Sequence, residues 1–167
     1  MRVLAICGSL QEKSSNLTLL RTAIACAPAG LEIDLYDGLR DLPHFNPDLA
    51  SDDAQAGPST VAELRRAVAG SDALLIATPE YGHSLPGALK NAIDWLIGTG
   101  ELEGKLVAIT SAVAAKERGR LGLAALRSTL GAVSARIAFQ EPIARGLNFE
   151  PEIAEMLQQL VTASQER

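Results

Sequence analysis

The 167-residue sequence predicts an α/β fold, a three-layer sandwich in which a five-stranded parallel sheet carries helices on both faces. Short apolar segments of strand length alternate with segments of helical periodicity along the chain, which is typical of parallel sheets. In addition, three strand segments are continuously apolar, whereas two alternate apolar with polar residues, as central and edge strands do. The length and a hydrophobic content of 47% indicate a single domain over residues 1–167.

The predicted elements alternate as strand and helix from the first residue onward. Ser14, Ser15 or Asn16 can cap the first helix, and Ser59 or Thr60 can cap the second. A long irregular stretch, residues 37–58, precedes that second helix. The strands are predicted at residues 3–7, 31–36, 73–77, 105–110 and 134–140. The helices are predicted at residues 17–27, 60–69, 86–98, 121–130 and 152–163.

The character of each strand predicts its place in the sheet. The runs at 3–7, 73–77 and 105–110 are continuously apolar and should be central, and the two alternating runs should form the edges. The order 2-1-3-4-5 satisfies this with right-handed crossovers. Its switch point lies between strands one and three. The loops 9–16 and 79–84 should therefore meet at one edge of the sheet, with loop 111–119 alongside.

Composition excludes several classes of function. The net charge is −5, only 4% of residues are aromatic and no block of Lys or Arg occurs, so nucleic acid is not an expected partner. No apolar run approaches the roughly 20 residues that span a bilayer, so no membrane partner is expected. The two cysteines give no disulfide framework, and the His and Cys residues lack metal-ligand spacing. We expect a soluble cytoplasmic protein that needs no metal.

The loop at residues 9–16 is suited to an anion. It carries hydroxyl groups at Ser9, Ser14 and Ser15 and an amide at Asn16, and it opens a helix whose free N–H groups favour negative charge. A phosphate monoester fits this set of donors. The alternative is that the same residues only cap the helix within a solvated loop.

Other phosphate motifs do not fit the sequence. Neither G-x-G-x-x-G nor G-x-x-x-x-G-K-S/T follows the first strand. The spacing of Cys7, Lys13 and Ser14 is similar to the Cys-x5-Arg-Ser loop of phosphotyrosine phosphatases. However, lysine lacks the planar guanidinium fork, and no Asp-Pro acid pair occurs in the sequence. Cys7 is therefore more simply a buried strand residue.

The loop at residues 79–84 is suited to a flat heterocycle. Tyr81 offers a ring face, and Gly82 lets the backbone approach a ligand closely. The alternatives are that Tyr81 is a packing aromatic and that Glu80 is a solvated acid or a subunit contact. A phosphate site beside a ring site describes a mononucleotide. FMN fits best, because flavodoxin-like folds with this strand order bind FMN at the switch point.

Two motifs resemble the NADPH-dependent FMN reductase family. Residues 8–16 are GSLQEKSSN, where the family has G-S-x-R-x-x-S-x-N. Residues 79–95 are PEYGHSLPGALKNAIDW, where the family has P-E-Y-N-x-S-x-P-G-x-L-K-N-x-I-D-W. Residues 42–48, LPHFNPD, are also similar to the family segment after strand two. The family has a flavodoxin-like fold and includes quinone, azo-dye and chromate reductases.

The resemblance implies which residues bind the cofactor FMN. Those expected at the phosphate are Ser9, Gln11, Ser14, Ser15 and Asn16. Those expected at the flavin ring are Pro79, Glu80, Tyr81, Gly82 and Ser111. Gln11 stands where the family has arginine, Gly82 replaces asparagine, and loop 111–119 lacks the usual glycines. The loss of one charge-assisted bond predicts an FMN affinity about one to two decades lower, which Lys13 could partly restore.

The resemblance also implies an activity. FMN would pass hydride or electrons from NADPH or NADH to free flavin, quinone or a similar small-molecule acceptor, with no catalytic side chain needed. Lys116 and Arg118 either contact the NADPH 2′-phosphate or lie at a solvated helix start. The family commonly forms dimers and tetramers, which predicts a homodimer or homotetramer. The alternatives are a flavodoxin-type electron carrier and an interaction protein without flavin.

Overall fold

The computed structural model describes residues 1–49, 58–146 and 149–166. The strands are β1 (Arg2–Cys7), β2 (Glu32–Tyr36), β3 (Ala73–Ala77), β4 (Leu106–Val113) and β5 (Arg136–Ala144). The helices are α1 (Ser15–Ala25), α2 (Ser59–Ala69), α3 (Gly87–Asp94), α4 (Arg120–Ala132) and α5 (Phe149–Gln165). Two short 3-10 helices, Gly38–Asp41 and Pro47–Leu49, lie within the stretch predicted to be irregular, of which residues 50–57 are outside the described part.

The sheet has five parallel strands in the order β2-β1-β3-β4-β5, which confirms the predicted topology. All five residues of β3 are buried, as expected for the middle of the sheet. The register pairs Val3 with Ala73 and Ala73 with Leu106, so the three central strands start level with one another. Their carboxyl ends consequently lie together along one edge, where the loops toward α1, α3 and α4 begin.

Helices cover the sheet on both faces, and each face has its own apolar core. Alternate residues of β1 point to opposite cores, Leu4 and Ile6 to one and Val3 and Ala5 to the other. One core is completed by α2, α3 and α4, with Leu64, Leu89, Ile93, Leu123, Leu126 and Leu130. The other is completed by α1 and α5, with Leu19, Leu20, Ile153, Met156, Leu157 and Leu160. Each fully buried leucine contributes about 1.5–3 kcal/mol of transfer free energy to this packing.

Two strands continue past their predicted carboxyl ends. β4 continues through Ser111 to Val113, and β5 continues to Ala144, so the predicted loop 111–119 begins as a strand. The extension forms because β4 and β5 pair with each other beyond Thr110, the last partner of β3. A register shift after Val107 also interrupts the regular alternation expected for β5.

The helix ends differ from the predictions for local reasons. α1 starts at Ser15 because the Ser14 side chain caps it. α2 is instead preceded by Pro58, whose carbonyl accepts bonds from Val61 and Ala62, so neither Ser59 nor Thr60 acts as the cap. α3 ends at Asp94, before the predicted end near residue 98. None of the helices in the described ranges has the length and apolarity needed to cross a membrane.

Candidate functional site

The loops that follow β1 and β3 begin side by side at the carboxyl edge of the sheet. The N–H of Gly8 donates to the Ala77 carbonyl at 2.8 Å, and the N–H of Thr78 donates to the Thr110 carbonyl at 2.9 Å. A Cβ atom on Gly8 would lie 2.5 Å from the Thr78 hydroxyl oxygen, so only glycine permits this approach. Backbone hydrogen bonds therefore hold together the first residues of loops 9–16 and 79–84 and the end of β4.

Loop 9–16 is ordered by its own polar side chains. The Ser14 hydroxyl accepts a hydrogen bond from the Asn16 N–H at 3.2 Å and caps α1. The Asn16 side-chain oxygen accepts from the Ala112 N–H at 2.9 Å, although the two residues are 96 positions apart. Both side chains are buried. Helix capping thus explains the role of Ser14 in this loop. Asn16 fixes the start of α1 to the end of β4.

Arg145 is a residue of this region that the sequence analysis missed. Its Nη1 atom donates to the Ser15 hydroxyl at 3.1 Å, and its backbone N–H donates to the Val113 carbonyl at 2.8 Å. Arg145 follows β5, whose carboxyl end lies at the same edge of the sheet as loop 9–16. No short-range motif links residues 130 positions apart. Only the predicted strand order, combined with a β5 that ends later, could have indicated the contact.

Loop 79–84 is a tight hairpin that presents an aromatic ring. The backbones of Tyr81 and Ser84 exchange two hydrogen bonds of 3.0 Å. The two residues between them, Gly82 and His83, have φ angles of +56° and +62°, as in a type I′ turn. Glycine and asparagine both suit this turn, so the Gly82 departure from the family motif preserves the backbone. The Tyr81 side chain is exposed, at 56% of its reference area.

Glu80 connects this hairpin to helix α4. Its Oε2 atom accepts a hydrogen bond from the Gly122 N–H at 2.9 Å, within the first turn of the helix. A carboxylate at a helix N-terminus is favourable, because the N–H groups there are unpaired and carry partial positive charge. Glu80 is thus not a freely solvated acid. It holds loop 79–84 against the start of α4.

Pro79, Glu80 and Ser111 line one cavity of about 380 Å³ between loop 79–84 and the β4–α4 loop. Its other lining residues are Ala112, Val113, Glu117, Arg118, Gly119 and Leu121. The predicted ring residues Tyr81 and Gly82 are exposed beside it rather than in its lining. The structure therefore brings three of the five predicted ring residues into one cavity.

None of the predicted phosphate residues lines this cavity. Ser9 and Gln11 line a second cavity of about 380 Å³, near the ends of β1 and β2. The Ser9 hydroxyl accepts from the Gln11 N–H at 3.3 Å, and the Gln11 side chain is exposed. Ser14, Ser15 and Asn16 lie at the start of α1 and line neither cavity.

Cys7 does not have the properties of a phosphatase nucleophile. Burial raises the pKa of its thiol above the ordinary value, against smaller opposing effects of hydrogen bonds with Ser9 and Ser14. The thiol donates to the Ser9 carbonyl at 3.5 Å. A phosphatase needs the opposite, a thiolate stabilised at neutral pH. The structure thus supports the interpretation of Cys7 as a packed strand residue.

The two cations considered for NADPH differ in their surroundings. Lys116 forms a 3.0 Å ion pair with Glu152 of α5, and Arg118 lines the cavity that Glu80 and Ser111 share. Lys116 is therefore directed toward α5, and of the pair only Arg118 lies at this cavity. In the described part of the chain, no cluster of three or more His, Cys, Asp or Glu side chains could hold a metal ion.

A parallel 2-1-3-4-5 sheet with three loops meeting at its switch point defines a flavodoxin-like α/β protein. Within that class, the chain belongs to the NADPH-dependent FMN reductase family, whose profile matches residues 1–144. The match covers all three loops and ends with the last residue of β5.

Curated relatives agree with this assignment. The chain is 41% identical over 136 residues to the NAD(P)H-dependent FMN reductase PA1204 of Pseudomonas aeruginosa, an alignment that covers 78% of this chain and 69% of that protein. It is 38% identical over 96 residues to a quinone reductase of Escherichia coli, which covers 58% of this chain. That alignment spans about half of the quinone reductase, 50% of its length.

Solved structures share the fold over nearly the whole chain. FerB, a flavoenzyme NAD(P)H:(acceptor) oxidoreductase from Paracoccus denitrificans, superposes with a TM-score of 0.73 at 26% identity, covering 96% of this chain and 97% of FerB. The NADH:FMN oxidoreductase EMOB in its apo form gives a TM-score of 0.74 at 20% identity, covering 97% and 89% of the two chains. At that identity the second likeness supports the fold alone.

Proposed function

We propose that this protein is an FMN-dependent NAD(P)H oxidoreductase that passes electrons through bound FMN to free flavin, quinone or a similar small-molecule acceptor. The observation that carries the proposal is that loops 9–16 and 79–84 of a chain in this family start side by side at the switch point. One loop supplies donors for an anion and the other an exposed aromatic ring. These are the two chemistries that a mononucleotide requires.

The donors at the start of α1 fit a phosphate group. Ser9, Ser14 and Ser15 supply hydroxyl groups, and the first turn of α1 adds backbone N–H groups with partial positive charge. Asn16 holds this turn against β4 through Ala112. We assign these residues, with the backbone at Gln11, to the FMN phosphate.

The second loop and the end of β4 would contact the flavin ring. Bound FMN would supply the chemistry, since its ring can accept hydride from NAD(P)H and release electrons to an acceptor. The Tyr81 ring offers a stacking face, and the type I′ turn at Gly82 leaves backbone amides near the surface. Pro79 and Ser111 form the wall of the adjoining cavity, which Glu80 keeps in place through Gly122. None of these side chains needs to act as a nucleophile.

A flavin titration tests the proposal. FMN is added to purified, flavin-free protein, and quenching of flavin fluorescence reports binding. NADPH or NADH is then added under anaerobic conditions, and loss of flavin absorbance reports reduction, followed by turnover with a quinone. We expect quenching, bleaching and turnover. Quenching without bleaching would instead identify a flavodoxin-type electron carrier, and no quenching would leave an interaction protein without flavin.

We further propose that residues 1–167 form one domain and that the protein works in the cytoplasm as a homodimer or homotetramer. The described cysteines are both free, which agrees with a reducing compartment. Leu121 and Tyr81 are exposed beside the candidate site and could be covered by a second copy. Light scattering on the purified protein measures its mass. A monomer at micromolar concentration would contradict the assembly.

A further inference from the structure

We propose that Arg145, at the end of β5, supplies the positive charge for the flavin phosphate that Gln11 cannot supply, and so makes the site selective for FMN over riboflavin. This inference rests on the proposed function and adds a residue and a specificity to it. Loop 9–16 lacks the arginine of its family motif, and Lys13 is the only cation within the loop itself. The structure brings a guanidinium to the start of α1 from the far end of the chain.

The first argument is position. The Arg145 Nη1 atom lies 3.1 Å from the hydroxyl of Ser15, the first residue of α1. Its backbone is fixed by the 2.8 Å bond to Val113, so the side chain projects from the end of a paired strand. Asn16 fixes the start of α1 to Ala112, the residue before Val113. Arg145 and the α1 N-terminus are thus held to neighbouring residues of β4.

The second argument is electrostatic. A helix N-terminus carries partial positive charge, so a guanidinium there is unfavourable unless an anion lies between them. The first turn of α1 contains no acidic residue. Among residues 1–49, 58–146 and 149–166, no carboxylate forms an ion pair with Arg145. The guanidinium and the helix end therefore lie together with no carboxylate paired to the guanidinium, and a phosphate dianion would bind favourably to both.

The third argument is the chemistry of the donor. Arginine offers a planar fork that binds phosphate oxygens through two parallel hydrogen bonds, whereas lysine is a point charge on a flexible stem. In the described part of the chain, the Lys13 side chain is exposed and forms neither a hydrogen bond nor an ion pair. Arg145 is thus better placed than Lys13 at the start of α1, whereas the Arg40 Nη2 atom donates to the Leu10 carbonyl at 3.3 Å, earlier in the loop.

The test compares two ligands that differ only in the phosphate. Flavin-free wild type and Arg145→Gln are titrated with FMN and with riboflavin, and fluorescence quenching gives each Kd. We expect the FMN Kd of Arg145→Gln to rise about tenfold or more, with the riboflavin Kd unchanged. The FMN Kd of Arg145→Lys should lie between those of the wild type and Arg145→Gln. Adding Gln11→Arg to Arg145→Gln should restore much of the FMN affinity.

A matched control is available on the same strand. Arg136 is exposed at the opposite end of β5 from Arg145, so Arg136→Gln makes the same change in charge away from the start of α1. Arg136→Gln should leave the affinities for FMN and riboflavin unchanged.

The FMN affinity of the wild type should also fall more steeply with salt than that of Arg145→Gln, because a charge-charge contact is screened.

Three outcomes separate this inference from the proposed function. If Arg145→Gln binds FMN as tightly as the wild type, or loses riboflavin binding equally, the phosphate role is wrong and the proposed function stands. If the wild type binds neither flavin, both are wrong. A purely structural role would lower the thermal stability of the flavin-free variant. We expect that stability to be maintained, because the substitution removes a cation from the positive end of a helix.

Discussion

The turn at Gly82 and His83 shows how one residue can depart from a family motif while the backbone stays the same. Both residues have positive φ, at +56° and +62°. Residues that carry a side chain rarely adopt positive φ angles. Asparagine does so more readily than most of them, and glycine does so without strain. No atom lies within 4 Å of the position that a Cβ on Gly82 would occupy. Backbone conformation, rather than space, therefore limits what residue 82 can be.

Gly82→Asn should consequently be tolerated where Gly82→Ala is not. We expect the alanine variant to lose about 1 kcal/mol of unfolding free energy from left-handed strain, and the asparagine variant to lose less. Urea denaturation of the two variants and the wild type measures the difference. Equal stability of the two variants would show that the turn does not keep positive φ at this residue in solution.

Tyr36 is a second residue whose surroundings make a measurable prediction. Partial burial, together with the nearby carboxylates of Glu63, Asp41 and Asp37, raises the pKa of its phenol from 10.0 to about 12. The folded state thus favours the neutral phenol, so its stabilising contribution is present below pH 10 and is lost as the pH rises toward about 12. Tyr36→Phe cannot ionise and should lack that loss.

The measurement is the free energy of unfolding by urea at intervals between pH 9 and pH 12, for the wild type and Tyr36→Phe. Other groups titrate in the same range, so the difference between the two proteins isolates the phenol. We expect wild-type stability to fall more steeply with pH than that of the variant. Parallel curves would mean that Tyr36 is more solvated in solution than the structure indicates.

At the scale of elements, α4 depends on a contact with the loop after β3. A Cβ on Gly122 would lie 3.0 Å from the Glu80 Cβ and 3.2 Å from its Cα. The latter is a backbone atom, which cannot move aside without shifting loop 79–84. In contrast, nothing lies within 4 Å of a Cβ built on Gly131 in the last turn of the same helix.

The two glycines therefore make a matched pair. Gly131→Ala should raise stability by up to about 1 kcal/mol, because alanine is the better helix former and has open space. Gly122→Ala gains the same propensity but should destabilise the protein and lower its FMN affinity, since it displaces Glu80. Thermal unfolding and a flavin titration measure both effects. A Gly122→Ala variant as stable as Gly131→Ala would contradict the close packing of α4 on Glu80.

The elements also show what the sequence could and could not predict. The continuous apolar runs around Leu4, Leu75 and Val107 correctly identified the central strands, because burial on both faces leaves no room for polar residues. The positions of loops 9–16 and 79–84 followed from that order. The full length of β4 and β5 could not be predicted in this way, because Ser111 joins a strand only where β5 continues beside it. Arg145 was missed for the same reason, as it depends on where β5 ends.

At the scale of the whole molecule, the candidate site unites loops from strands that are distant in sequence. The start of α1 contacts Ala112 and Arg145, and Glu80 contacts Gly122, so the site exists only when the sheet and both cores are formed. A ligand that binds this site should bind the folded state and not the unfolded chain. Its binding free energy then adds to the stability of the fold.

FMN should therefore raise the melting temperature in proportion to the logarithm of its concentration. At about 100 times the Kd, the stabilisation is about 2.7 kcal/mol, or roughly 5–10 °C in Tm for a domain of this size. Differential scanning fluorimetry over a range of FMN concentrations measures this, read from intrinsic tryptophan to avoid flavin emission. Riboflavin at equal concentration should give a smaller shift, because it lacks the phosphate. A Tm that does not move with FMN would mean that the assembled edge does not bind the cofactor.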